Sequence, residues 1–293
     1  MKKVLFIINP TAGKMKILKD IADIDKAFYK GGYECDIYLT KKKGDATEKV
    51  LSSGASYDLI VCGGGDGTYN ELITGVLKSE LNVPIGYIPA GTTNDFASTL
   101  ELSQNSVTAA SNITTGKPRK LDVGRFGDLY FSYVASFGAF TGASYSTPQQ
   151  SKNVLGHSAY VLNGMSDLSS IKPYHVRLEA DGKVYEDDYL FGAISNSTSI
   201  AGLIKLDSNL VNLSDGEFEI LLIRMPKLLL DVPKILIALA NGDYSEEHIT
   251  FFHASSIKVK TTNKLNWALD GEHATSRGEI LLENLHGAVN LIL

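Results

Sequence analysis

Leu59-Ile60-Val61-Cys62-Gly63-Gly64-Gly65-Asp66-Gly67-Thr68-Tyr69-Asn70-Glu71 runs from four apolar residues straight into three glycines. A buried strand that breaks into glycines lets its backbone come very close to a ligand. Amides freed at such a turn, and at the start of the following helix, form a cradle for phosphate. Asp66 adds a carboxylate within reach of a phosphate-bound magnesium ion. A purely structural turn is the competing reading, but the embedded Asp66, with Thr68, Asn70 and Glu71 after it, favours a ligand. Two familiar loops are excluded by their letters. Gly13-Lys14 is followed by Met15, and Ile8 stands where a Walker loop needs its first glycine. The dinucleotide fingerprint fails because Gly63-x-Gly65 leads to Thr68 and Gly65-x-Gly67 leads to Asn70.

Outward from this stretch, the first 120 residues alternate strand and helix signals, the pattern of a parallel sheet covered by helices. Strands are expected at residues 4–8, 33–40, 59–62 and 83–88. Helices are expected at 17–29, 45–52 and 70–77, the first closed by Gly31-Gly32. Three loops then leave the C-terminal ends of parallel strands, where open α/β sheets bind ligands. After Leu121-Asp122-Val123-Gly124 the character changes. Residues 130–135, 175–180, 189–195, 217–223 and 256–260 are β-branched or aromatic runs, separated by turn signals such as Asp181-Gly182 and Asp215-Gly216. A mostly antiparallel sandwich follows from that pattern, with two further short strands at 279–282 and 288–293.

A chain of 293 residues is long enough for two modest domains. At 44% hydrophobic and 21% charged it has the composition of an ordinary soluble globular protein. A net charge of −5 gives no reason to expect nucleic-acid binding, and the run Lys41-Lys42-Lys43 reads as a solvated loop. Cys35 and Cys62 are too few for a zinc cluster and suit a reducing cytoplasm. The apolar stretch before Asn9-Pro10 is too short for a signal peptide. No uninterrupted apolar segment approaches the ~18–20 residues that cross a bilayer. The nearest, residues 228–240, is broken by Asp231, Pro233 and Lys234 and reads as a helix packed on a core, with a peripheral membrane contact as the alternative. The six histidines show no metal spacing, and Gly142-Ala143-Ser144-Tyr145-Ser146 lacks the last glycine of a nucleophile elbow.

Four motifs together, Asn9-Pro10-Thr11-Ala12-Gly13, Gly63-Gly64-Gly65-Asp66-Gly67-Thr68, Gly91-Thr92-Thr93-Asn94-Asp95-Phe96-Ala97 and Leu269-Asp270-Gly271-Glu272, resemble the diacylglycerol kinase catalytic-domain family. The similarity is greatest to its small soluble bacterial members, relatives of sphingosine kinases and, more distantly, of NAD kinases and phosphofructokinases. It covers essentially the whole chain. Two departures are Ala12, where the family often has serine, and Ala201-Gly202, where many relatives carry a fuller glycine run. The resemblance implies an α/β fold: an α/β ATP-binding domain over residues 1–120, to which 281–293 return, and a β-sandwich lipid-substrate domain over 121–280, with ATP in the cleft between them.

By the same resemblance, ATP phosphates are held by Asn9, Pro10, Thr11, Ala12 and Gly13 and by Gly65, Asp66, Gly67, Thr68, Tyr69, Asn70 and Glu71, with Thr40 and Thr92 as further ATP contacts. Asp66, Asp95 and Asp122 would organise Mg2+ through waters. Asp95 has a plainer role open to it, as a helix cap. Asp270 would be the general base for the acceptor hydroxyl, against the simpler reading of Asp270-Gly271 as a hairpin turn. Glu272 would help orient the site. A further Mg2+ site is implied at Asn212, Asp215 and Glu217, through the Asp215 carboxylate and main-chain carbonyls.

The function expected is phosphorylation of a lipid hydroxyl by ATP, with diacylglycerol becoming phosphatidate. Alternatives are the same chemistry on phosphatidylglycerol, a sphingoid base or an isoprenoid alcohol, or a non-catalytic nucleotide-binding regulator. NAD kinase is a more distant rival, against which the motif at 269–272 argues. The enzyme would be cytoplasmic and transiently membrane-associated, without nucleic acid or a transmembrane segment, and a homodimer is left open.

Overall fold

The structure, a computed structural model, describes residues 1–139, 172–200 and 204–293. The glycine-poor pair Ala201-Gly202 and the stretch 142–146 lie outside the described residues. The chain divides into two compact units, one of residues Met1–Asp122 and Gly287–Leu293, the other of Val123–His286.

The first unit is a parallel sheet. Strands β1 (Lys2–Ile8), β2 (Tyr33–Leu39), β3 (Leu59–Gly64) and β4 (Pro84–Pro89) lie in the order β4-β3-β1-β2. Every neighbouring pair is parallel. Beyond β4 the sheet gains the last residues of the chain, with Asn290 and Leu291 opposite Pro84 and Ile85. Helices α1 (Lys16–Lys30), α2 (Asp45–Ser53), α3 (Asp66–Lys78), α4 (Asp95–Thr99) and α5 (Ser106–Thr115) make the crossovers. The strands are apolar throughout because both faces are covered. Val4, Phe6, Ile8 and Val61 pack with Ile24 and Phe28 of α1 and with Ala110 and Ile113 of α5. Leu5, Ile7 and Cys62, with side chains on the opposite face of the pleat, are equally buried. Between α2 and α3 a methyl on Gly75 would lie 2.7 Å from the Val50 side chain, so the glycine sets how closely the two helices approach.

The second unit is antiparallel. It comprises β5 (Pro118–Phe126, from Val123 on), β6 (Leu129–Phe131), β7 (Val134–Gly138), β8 (Tyr174–Ala180), β9 (Lys183–Ser195), the short β10 (Ser199–Ile200) and β11 (Ile204–Lys205), β12 (Phe218–Arg224), helix α6 (Val232–Ala240), β13 (Ile249–Ala254), β14 (Ser256–Leu269) and β15 (Glu272–Ile292, to His286). Two long strands organise it. The first part of β9 pairs with β8 and its last part with β7 and β12. Likewise β14 pairs with β8 through residues 258–260 and with β7 through 267–269, after a register shift between Thr261 and Leu265. Each of the two long strands thus pairs with both β7 and β8.

Aromatic residues fill that interior. Trp267 is fully buried between Phe126 and Phe137, both edge-on with centroids 5.1 and 5.0 Å away, and its indole N–H donates to Ser276 Oγ at 2.9 Å. Phe137 lies opposite Gly192 in the ladder and its ring occupies the space a side chain there would need.

Two sequence expectations change. Residues 279–282 and 288–293 are not separate strands: all but Leu293 belong to the single β15, which runs on without a break. The return to the first unit therefore begins at Gly287 and not at residue 281. Residues 130–135 conversely form two strands, because Ser132 and Tyr133 bend the chain between β6 and β7.

Phe137→Ala is expected to lower the unfolding free energy by about 3–5 kcal/mol, the usual cost of emptying a fully buried aromatic site. Urea unfolding followed by the fluorescence of Trp267, the only tryptophan, measures it.

Candidate functional site

In the first unit, the loops that leave β1, β3 and β4 meet backbone to backbone. A side chain on Gly13, whose φ is +51°, would place its first carbon 2.0 Å from the carbonyl oxygen of Ala90. One on Gly91 would lie 2.6 Å from the Cα of Gly65. Hydrogen bonds lock the same junction: the Asn9 amide donates to Gly63 O at 2.9 Å and the Ala90 amide to Gly64 O at 2.7 Å. The Asn9 side chain donates to Thr68 Oγ1 and accepts from both the amide and hydroxyl of Thr11. Pro10 and Ala12 are half-buried in this loop and Thr11 is exposed. The structure thus brings Asn9, Pro10, Thr11, Ala12 and Gly13 together with Gly65 and Thr68. Thr92 is exposed on the loop after β4, and Thr40 directly follows β2 with its amide on Ile8 O.

Helix α3 starts at Asp66 with no side-chain cap. Of the expected phosphate-binding amides, those of Thr68 and Tyr69 are already bonded to Gly65 O at 3.0 and 3.1 Å. Asn70 and Glu71 lie inside the helix, beyond its first three residues. Tyr69 is a core residue, stacked on Tyr87 at 4.8 Å. Glu71 serves a neighbouring helix instead. Its carboxylate accepts from the amides of Gly44 and Ala46 at 2.8 and 3.3 Å and so caps α2. Asp45 likewise accepts from the amides of Lys41 and Lys42, so two carboxylates hold the basic loop that follows Thr40.

Asp66 spans two loops. It accepts from the amides of Asp95 and Phe96 at 2.9 and 3.3 Å, at the start of α4, and from the Tyr87 hydroxyl at 3.3 Å. Burial and the Asp66 charge push the Tyr87 phenol well up, so that it remains a donor. The cap of α4 is therefore supplied by Asp66, while Asp95 occupies the first helical position. Asn94 closes the turn before it, accepting from the Gly91 amide at 2.9 Å. Asp122 is buried, and its carboxylate accepts from the amide of Gly287 at 2.7 Å, pinning the returning strand.

In the second unit, Asp270 and Gly271 are indeed the two turn residues between β14 and β15, with φ of +49° and +84°. The turn is more than a connection. Asp270 is 7% exposed, and its carboxylate accepts from three consecutive amides, Ser132 at 2.5 Å, Tyr133 at 3.0 Å and Val134 at 3.0 Å. Its own amide donates to Val134 O at 2.9 Å. These three bonds fix the carboxylate in place over the bend between β6 and β7. Leu269 is buried beside it, and Glu272 is exposed.

The loop 212–217 precedes β12. Asn212 Oδ1 accepts from Ser214 N, and Asp215 Oδ1 accepts from Glu217 N across Gly216, which has φ of +82°. Behind the loop lie two oxygens without donors, Glu219 Oε2 and Asn284 Oδ1, both inaccessible to solvent. Glu219 is 1% exposed and bonded to the backbone of Asn212 and Ser197, and Asn284 Nδ2 donates to Glu217 O at 2.9 Å. A surplus of oxygen acceptors around a carboxylate and two carbonyls fits a hard cation such as Mg2+. Burial, with Asp215 adding to it, pushes the Glu219 carboxyl up to about 8. Glu219 and Asn284 escaped the sequence reading. The signal for Glu219 was a lone acid in the otherwise apolar run of β12.

Because Glu219 keeps its proton in the fold while the unfolded chain loses it near the ordinary value of 4.5, the native state binds more protons between about 4.5 and 8. Stability therefore falls with rising pH across that window. In metal-free buffer, Glu219→Gln is expected to gain several degrees in Tm on wild type between pH 5 and pH 8; a constant difference would contradict the buried, protonated carboxyl.

Two family profiles match this chain: "Diacylglycerol kinase catalytic domain" over residues 3–126 and "YegS C-terminal NAD kinase beta sandwich-like domain" over residues 136–292. A diacylglycerol kinase of Bacillus subtilis is 33% identical over 275 residues, covering 93% of this chain and 90% of its own. One from Staphylococcus aureus is 31% identical over 274 residues, covering 93% of this chain and 86% of its own. The crystal structure of a diacylglycerol kinase from Bacillus anthracis superposes with a TM-score of 0.77 at 25% identity, covering 99% of this chain and 96% of the other. With both profiles matched in order along the sequence, and relatives similar over nearly its full length, the chain belongs to the diacylglycerol kinase family.

Proposed function

We propose that this chain is an ATP- and Mg2+-dependent lipid kinase that transfers the γ-phosphate to the free hydroxyl of diacylglycerol, giving phosphatidate and ADP. The observation that carries the reading is the Asp270 carboxylate of the family motif, buried and fixed by the amides of Ser132, Tyr133 and Val134. The names of the relatives supply the substrate class.

Phosphoryl transfer needs positioning and charge neutralisation more than covalent help. The uncapped start of α3 and the interlocked glycine loops would hold the phosphates through Gly65-Asp66-Gly67 and the loop 9–13. Bound Mg2+ would neutralise charge developing on the phosphate oxygens, with Asp66 and Asp95 as its water-mediated holders. A second ion would sit at Asn212, Asp215 and Glu217. Asp270 would accept a hydrogen bond from the acceptor hydroxyl and take its proton as the oxygen attacks phosphorus. Held by three amides, the carboxylate would orient the hydroxyl, which suits a loose transition state in which the proton leaves late.

Transfer of labelled γ-phosphate to a panel of lipids in mixed micelles tests the proposal. Wild type should label phosphatidate, while Asp270→Asn should lose about 10²–10⁴-fold in turnover and still bind ATP. Label on a different lipid would replace the acceptor. ATP binding with no lipid labelled would leave a non-catalytic nucleotide-binding protein.

A further inference from the structure

Helix α6 is apolar on two opposite stripes. Val232, Ile235, Ala238 and Leu239 are buried in the second unit. Pro233, Ile237 and Ala240 form the outer stripe and are exposed, with Ile237 at 62%. The turn leading into the helix adds Leu228 at 62% and Leu230 at 82%. Apart from Lys234 the helix is apolar on both faces, and an apolar outer face calls for cover. Three large aliphatic side chains within ten residues is a concentration that the other exposed apolar residues among the described ones, such as Leu129 and Val184, do not reach.

We infer that residues 228–240 are the surface by which this enzyme seats itself on a lipid bilayer carrying its acceptor. The inference rests on the lipid-kinase reading above. No helix among the described residues is long and apolar enough to cross a membrane, so an acceptor embedded in a bilayer has to be met at its surface. The patch has the right scale for that. Three side chains expose on the order of 400 Å², the size of an ordinary monomer's largest patch and half the ~800 Å² per partner of a stable protein interface. That is too little for a second copy of the chain and enough for shallow insertion below the headgroups. Charge does not set the contact, because the carboxylates of Asp231, Glu246 and Glu247 all act on Lys234. Lys227 and Lys234 are exposed beside the leucines, although Lys234 shares its charge with Asp231 at 3.0 Å. The contact is therefore chiefly apolar, with Lys227 as its electrostatic part.

The test is flotation with vesicles of phosphatidylcholine and phosphatidylglycerol, with and without diacylglycerol. Leu230→Asp combined with Ile237→Asp should weaken vesicle binding at least about tenfold, while phosphorylation of a dispersed short-chain diacylglycerol remains that of wild type. Ile237→Trp should shift its emission to the blue on vesicles and be quenched by brominated acyl chains, whereas Val184→Trp, on the exposed start of β9, should do neither. Unchanged vesicle binding in the double variant, or an Ile237→Trp emission indifferent to brominated lipid, would overturn the inference. So would a wild-type dimer that the double variant dissociates without loss of vesicle binding. Should wild type phosphorylate no lipid at all, the kinase reading fails by itself, and flotation and quenching still decide the surface.

Discussion

The first unit depends on a steric constraint: three loops pass so close to one another that no side chain fits where they touch. Gly13 lies against the carbonyl of Ala90, and Gly91 against the Cα of Gly65. This contact draws the ends of β1, β3 and β4 into one junction and leaves backbone, not side chains, on display there. Phosphate recognition by amides requires such a surface. A methyl group at Gly13 or Gly91 would force the loops apart before it touched any ligand, so these positions belong to fold and site at once.

A second device recurs in both units. Buried or half-buried carboxylates clamp runs of main-chain amides that no helix or ladder satisfies. Asp66 holds the start of α4, Asp45 and Glu71 hold the loop before α2, Asp122 holds the returning strand, and Asp270 holds the bend between β6 and β7. Ionised carboxylates make stronger bonds to such donors than neutral groups do. Charge near the candidate site is thus already engaged in shaping it. Removing one of these carboxylates will disturb a loop as well as a chemical step, which is why binding and stability must be followed beside turnover.

The lipid surface proposed for α6 and the cation loop before β12 share a feature that sets them apart from the glycine junction. Each is recognised by something left over: apolar side chains without a core around Leu230 and Ile237, and oxygens without donors at Glu219 and Asn284. Folded chains tolerate few such leftovers, because exposed apolar clusters and unpaired buried oxygens both raise the free energy of the isolated protein. Their presence points to what the chain meets in solution.

Much was legible in the residues alone. Alternating apolar runs and turn residues placed the four parallel strands and most of the antiparallel ones, since periodicity and turn chemistry are local properties. The glycine loops and the Asp270-Gly271 turn were legible for the same reason, and the turn is present as the local rules demand. What the letters could not show was partnership across sequence distance. That Glu71 serves Gly44, that Asp66 rather than Asp95 caps α4, and that Asp270 is held by Ser132, Tyr133 and Val134 are contacts between segments from 25 to 138 residues apart. Only the tertiary structure decides them, because a hydrogen bond is fixed by where two backbones meet in space and not by the identity of either residue. The sequence by itself determined which chemistry the chain can carry; the fold decided which carboxylates remain to carry it.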